Sequence, residues 1–356
     1  MLRIMTHPAT LTGLGALSIV LLMAFFPAST LESSLRGLSI WWQVLFPALF
    51  PFFVISELLL GFGIVHFFGK LLDPFMRPLF RLPGIGSFVV AMGYVSGYPV
   101  GARLTAQLWE QKLVNRAEGE RLVAFTTTSD PIFLIGAVSV GFFHNASLAP
   151  VLAAAHYGGA LVIGFLMRYH DRRAPISGML VETSHAAKSR QRSRIGQAIK
   201  AMHEARLLDG RSLGKLLQDA IQSALRLMIV VGGLVVFFSV VMEMLTKTGL
   251  IEALAQALRQ LFRTFGLPGR LADAPIFGLF EVTLGAREAG GDHGALMHQT
   301  ALAAWILSWG GLSVHAQVIS LLSRTDIRYR PLFLSRLAHA FIAMLLVYVL
   351  WGWLGP

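Results

Sequence analysis

The residue types that could do chemistry in this chain fall in four short runs, each interrupting apolar sequence. They are Gly97-Tyr98-Pro99-Val100-Gly101 with Arg103, Thr126-Thr127-Thr128-Ser129-Asp130-Pro131, Glu281 to Arg287, and Gly310 to Ser313. Asp130 before Pro131 reads as an N-cap with proline at the first helical position, a helix start signal. A helix restarted inside apolar sequence presents unbonded N–H groups and the positive end of its dipole, which attract anions. Arg103 and Arg287 hold equivalent places in two of the runs. Two guanidinium groups facing one cavity would grip a dicarboxylate bidentately. The alternative is internal pairing with Asp130 or Glu281, or a place at the interface.

The two acids would lie at membrane depth, where ionisable groups are costly, so Asp130 and Glu281 read as solute or ion groups, with capping or pairing as the other reading. Any coupling ion is Na⁺ or H⁺, and Glu281 is a candidate proton carrier. The hydroxyls of Thr126 to Ser129 face a choice between a solute or Na⁺ and the backbone of their own helix. The expected substrate-binding set is Gly97, Tyr98, Pro99, Gly101, Arg103, Thr127, Thr128, Ser129, Asp130, Glu281, Thr283, Gly285, Arg287 and Ser313.

Other chemistries find no support, and the chain reads as a non-enzyme without resident cofactor or metal. There is no cysteine, hence no disulfide, thiolate site or thiol nucleophile. His156, His315 and His339 sit in apolar segments as packing residues or proton relays, and His293 with His298 lacks zinc spacing. Gly61-Phe62-Gly63 has no strand before it and is not a nucleotide loop.

Composition names the elements that must position these residues. Of 356 residues, 55% are hydrophobic and 14% charged, more apolar surface than one soluble core hides. The solvent is lipid. The net charge of +11 lies mostly outside the apolar spans, so positive-inside bias explains it and nucleic acid is not a partner.

Leu11–Phe26 reads as a retained first helix, with a cleaved signal peptide as the weaker reading. Ser39–Gly63 is a span. Ile64–Leu82 is amphipathic and lies in the interface. Gly84–Lys112 breaks at Gly97 into two arms each too short to cross, a re-entrant hairpin. Ala117–Phe143 breaks at Asp130, and Leu148–Met167 crosses back. From Tyr169 to Lys215 there are ten Lys/Arg against four acids, which places this segment in the cytoplasm.

The second half repeats this order as Ile221–Leu245, Leu250–Phe265, Ala272–Gly291, Leu296–Leu322 and Pro331–Leu354. Leu82-Pro83-Gly84 matches Leu267-Pro268-Gly269, Gly101-Ala102-Arg103 matches Gly285-Ala286-Arg287, and Ala155-His156 matches Ala338-His339, at spacings of 185, 184 and 183. Three crossings per half, joined by a cytoplasmic segment, force opposite topologies. The expected fold is an all-α membrane protein with about seven transmembrane helices and two re-entrant hairpins, an inverted-topology repeat with broken helices. Its units are an N-terminal helix (1–38), a first repeat (39–168), a basic loop (169–215) and a second repeat (216–356). Arg259, Arg263 and Arg270 then fall on the outer side, against the charge rule, where they would snorkel to headgroups.

Leu45–Phe52, Gly97–Arg103, Phe125–Pro131 and Leu279–Gly285 together resemble the sporulation integral membrane protein YlbJ (SpoVV) family, over nearly the whole chain outside 169–215. That family carries a nucleoside-recognition gate domain and is similar in plan to concentrative nucleoside transporters. The resemblance implies transport of dipicolinic acid across the outer forespore membrane. A cation-coupled nucleoside transporter and a non-transporting spore-membrane scaffold are the alternatives.

Overall fold

The computed structural model describes residues 8–177, 194–264, 266, 268–291 and 296–356, and among them every regular element is a helix. The middle of the basic segment, Leu267 and His293 lie outside the described residues. α1 (Pro8–Phe25) ends where Phe26 and Pro27 turn the chain by 105° into α2 (Pro27–Ile40). Pro27 suits a helix start, because its missing N–H has no intrahelical acceptor there. The expected division between residues 38 and 39 therefore falls inside α2.

α2 continues through a π-wound turn, Trp41–Leu45, into α3 (Phe46–Gly61). Pro47 and Pro51 cannot donate to the carbonyls four residues back, and the winding loosens just ahead of them. Antiparallel to this helix runs α11 (Leu213–Lys247), 35 residues without a break. The two lie close because small residues let them. A Cβ on Gly37 would fall 2.9 Å from Cα of Val236, and one on Gly61 would strike Leu216. Trp41 Nε1 donates to the Met228 carbonyl at 2.9 Å.

After each long helix the same elements follow in the same order. In the first half these are α4 (Ile64–Phe75), the hairpin α5 (Gly86–Ser96) and α6 (Tyr98–Glu110), the broken pair α7 (Arg116–Thr126) and α8 (Phe133–Phe142, π-wound), and α9 (Ala149–Met167). In the second half they are α12 (Leu250–Thr264), the hairpin α13 (Asp273–Phe280) and α14 (Val282–Ala289), the broken pair α15 (Leu296–Trp309) and α16 (Gly311–Leu322), and α17 (Tyr329–Leu354). Between the halves, α10 (Arg194–Asp209) packs along α4.

Among the described residues four stretches are long and apolar enough to cross a membrane: Ala146–Met167, Leu213–Lys247, Leu296–Leu322 and Tyr329–Leu354. The bent pair Gly13–Phe25 and Pro27–Leu45 makes a fifth if counted as one. Phe25, Ile229, Leu345 and Trp353 stay exposed by more than 60% on these helices, apolar surface suited to lipid. The chain is a multi-pass membrane protein.

One end of the bundle is held by charge. Buried Glu120 on α7 accepts from Arg328 at 2.7 and 2.9 Å and pairs with His170 at 2.5 Å. The start of the basic segment and the turn before α17 thus meet at one carboxylate, at the basic end of the bundle. At the α10–α11 corner, also at this end, the Arg211 guanidinium bonds Asp209 at 2.6 and 2.7 Å and holds that carboxyl down at about 2.

Candidate solute site

Each half contains two helix breaks, and the four meet in two touching pairs. Gly97 (φ 85°) stops α5 and starts α6, while residues 127–130 form a non-helical link between α7 and α8. A Cβ on Gly97 would lie 3.1 Å from Asp130 Oδ2, so glycine is needed there both for its backbone and for this approach. In the second half Glu281 (φ −144°) separates α13 from α14, and Gly310 (φ 86°) separates α15 from α16. A Cβ on Gly311 would lie 3.0 Å from Cα of Glu281.

The two carboxylates are helix caps. Asp130 Oδ1 accepts from the N–H of Ile132 (3.0 Å) and Phe133 (2.8 Å), and Glu281 Oε2 accepts from the N–H of Leu284 (2.8 Å). Each negative charge thereby sits at the positive end of its own half-helix. α6 and α16 begin with no side-chain cap. Two of the four helix N-termini are thus met by the protein's own acids, and two keep their leading N–H groups without a side-chain acceptor.

Between the pairs lies a crevice of about 80 Å³. Of the expected residues, Gly97, Tyr98, Pro99, Asp130, Glu281, Thr283 and Ser313 line it. Ser96, Gln317, Phe53 of α3 and Leu227, Val231 and Leu234 of α11 are among its other walls, and Ser96 Oγ is buried with no hydrogen-bond partner. At roughly 30 Å³ per water the space holds two or three water-sized molecules. A larger solute requires the walls to part.

The remaining expected residues lie elsewhere. Thr127 donates to the Val123 carbonyl (2.6 Å) and Thr128 to that of Gly93 (3.3 Å), while the Ser129 N–H donates to His156 Nε2 (3.0 Å). All three are buried and serve their own fold. Gly101 and Gly285 are close-packing positions: a Cβ on Gly101 would meet the Thr126 carbonyl at 2.6 Å, and one on Gly285 the Cα of Gly278 at 2.3 Å.

Of the alternatives open for Arg103 and Arg287, a place around one shared cavity is not the one the structure shows. Both are exposed and neither lines the crevice. Arg103 lies at the basic end, within electrostatic reach of Glu57 together with Arg211. Arg287 lies at the opposite end, lining a separate 630 Å³ cavity with Ser39, Gln43, His144 and Gln299. Helical phase is the reason. On α6 the buried positions are 98, 101, 102, 105, 106 and 108, so Arg103 shares the other face with Gln107 and Glu110.

Two arginines are buried among the described residues: Arg121, which donates to the carbonyls of Arg81 and His170 at the basic end, and Arg336 on α17, 1% exposed and next to the breaks. The Arg336 guanidinium donates to the carbonyl of Thr127, to that of Leu307 (3.2 Å) and to that of Trp309 (3.3 Å). Thr127 follows the last residue of α7, and Leu307 and Trp309 belong to the last turn of α15, so one positive charge meets the negative ends of two half-helices from different halves. It stands 5.8 Å from the Tyr98 ring centroid, and the Tyr98 hydroxyl donates to Leu307 as well (2.8 Å). The sequence reading missed Arg336; its signal was a single arginine deep in an apolar span.

These features, helix breaks capped by buried acids within an all-helical membrane bundle, coincide with a known domain. The family model described as Gate, nucleoside recognition, matches residues 42–161 and 228–328, which contain all four breaks. The chain belongs to that family of membrane proteins. More particularly, it is similar to the sporulation integral membrane protein YlbJ of Bacillus subtilis (strain 168), at 42% identity over 351 residues, covering 95% of this chain and 84% of the relative.

Proposed function

We propose that this chain is a transporter built from two inverted-topology repeats, with about seven crossings and two re-entrant hairpins. The observation that carries the reading is the meeting of four helix breaks around one buried polar crevice, since interrupted helices at membrane depth are stabilised around cavities or protein contacts. A scaffold has no use for such a crevice.

The solute we propose is a small organic anion, dipicolinate, moved across the outer forespore membrane. The sporulation relative supports the setting, and the uncapped start of α16 offers N–H groups to a carboxylate, joined at α6 by that of Tyr98, since Pro99 has none and Val100 donates to Gly97. Arg103 and Arg287, at opposite ends, then attract the anion to either mouth of the path and do not clamp it in the middle. Asp130 and Glu281 are the groups to carry a coupling Na⁺ or H⁺.

One observation favours a second reading. The crevice walls hold two carboxylates and no cation, which suits a neutral solute that donates hydroxyl and N–H groups, such as a nucleoside. Uptake of labelled dipicolinate and labelled uridine into proteoliposomes separates the two. Dipicolinate flux that falls with Arg103→Gln and Arg287→Gln supports the first reading, and uridine flux alone selects the second. Absence of both fluxes sinks the transporter assignment.

A further inference from the structure

Three arginines stand where the membrane charge rule does not put them. Arg259, Arg263 and Arg270, with Gly269 and Asp273, surround a cavity of about 490 Å³ at the α12–α13 corner. That corner follows the C-terminal end of α11, whose 35 residues carry it roughly 50 Å from Leu213 at 1.5 Å per residue, across the bilayer from the basic end. Arg259 is engaged by Glu252 (2.9 Å) and Asp273 (3.3 Å). Among the described residues, Arg263 and Arg270 have no carboxylate within 4.0 Å.

The corresponding helix of the first half, α4, is covered. The Met202 carbonyl of α10 lies 2.6 Å from where a Cβ on Gly63 would be, and the Arg206 guanidinium stands 5.7 Å from the centroid of the Phe62 ring. Among the described residues no helix lies across α12 in this way. It packs on the Gly269–Ala272 turn, α11 and α13, and leaves Leu250, Leu254 and Leu261 exposed. An amphipathic helix with bare leucines on one side and guanidinium groups on the other lies at the headgroup boundary.

We propose that this corner binds the phosphate of an anionic lipid headgroup on the membrane face opposite the basic end. Guanidinium groups hold phosphate bidentately, the three arginines outnumber the two nearby carboxylates, and the exposed leucines lie beside the acyl chains of the same lipid. Free phosphate would use the same donors but gain nothing from the leucines. The site is independent of the solute path.

Native mass spectrometry of the purified full chain in detergent, titrated with phosphatidylglycerol, phosphatidylcholine or inorganic phosphate, tests this. Wild type is expected to retain phosphatidylglycerol over phosphatidylcholine. Arg263→Gln with Arg270→Gln loses roughly twenty-five-fold in that affinity, at about fivefold per guanidinium. Arg263→Lys with Arg270→Lys keeps only part of it, because charge near the headgroup is retained while the bidentate fork is lost, and Arg194→Gln on α10 changes nothing. Equal phosphatidylglycerol retention by wild type and the Gln pair overturns the proposal. So does equal loss in the Gln and Lys pairs, or inorganic phosphate binding as tightly as the lipid.

Discussion

The imidazoles of His156 and His339 stack with centroids 5.1 Å apart, and His339 Nε2 donates to the main-chain carbonyl of His156 at 2.7 Å. The two residues are 183 apart and occupy matching places on α9 and α17. Their hydrogen bonds assign the tautomers. His156 Nε2 accepts from Ser129, so its Nδ1 carries the proton and donates to Ser308 Oγ at 2.8 Å. His339 uses Nε2–H on the carbonyl and turns Nδ1 to Arg336 at 3.3 Å. Both rings are neutral and saturated, which makes the pair a clasp between halves.

His156→Ala is therefore expected to lower stability by about 1–3 kcal/mol for each buried partner left unpaired, read as a lower melting temperature in detergent. Unchanged melting with a shifted pH dependence of flux would instead make this histidine a proton relay.

Arg336→Ala removes the donor for three carbonyls at two helix C-termini, at about 1 kcal/mol or more for each one left buried and unpaired. Arg336→Lys recovers little, since an ammonium cannot span the three acceptors with a planar fork. Thermal unfolding in detergent should rank wild type well above Lys, and Lys above Ala. A Lys variant as stable as wild type would reduce the role of Arg336 to charge alone.

The breaks were legible because their residues carry local signals: Gly97 ahead of Pro99, and Asp130 ahead of Pro131. The two caps follow from those signals, since an acid at the start of a half-helix meets that helix's own N–H groups first. Arg103 was placed by the symmetry of the two halves, although the spacing of Tyr98, Gly101, Ala102 and Thr105 already assigned it to the other face of α6. Arg336 was not legible as a cap, because its acceptors are backbone carbonyls, one of them more than 200 residues away. The start of α2 at Pro27 is a helix signal in the sequence, but 1–38 reads as one N-terminal helix, whereas α2 is a separate helix whose buried face is Ser33, Gly37 and Ile40.

Asp130 joins two roles that substitution can separate. Asp130→Asn keeps an N-cap acceptor for Ile132 and Phe133, whereas Asp130→Ala loses it at a cost of about 1 kcal/mol. If the carboxylate only caps, Asn should match wild type in both melting temperature and flux. If it also handles solute or coupling ion, Asn should melt like wild type while flux collapses. The second pattern is expected, because Asp130 lines the crevice.

Gly97→Ala tests the close approach of two breaks. A φ of 85° with ψ of −175° is backbone that essentially only glycine adopts and costs an L-residue about 1–3 kcal/mol, and the new methyl would press on Asp130 Oδ2 at 3.1 Å. Both stability and flux should fall. Gly214→Ala, at a helical position with nothing within 4 Å, should melt at or above the wild-type temperature and serves as the control.

The absence of native cysteine makes topology directly testable by single-cysteine labelling. Glu120 joins His170 to Arg328, so Arg173→Cys and Asp326→Cys should react from one side of the membrane. α9 separates His170 from the 144–147 turn, and α11 separates Leu213 from α12. Ala146→Cys and Gln260→Cys should then react from the other side. Because Arg173 and Ala146 flank the last crossing of the first half while Gln260 and Asp326 belong to the second, this pattern is what opposite topologies require. Labelling of Asp326→Cys and Gln260→Cys from the same side would be incompatible with two inverted repeats.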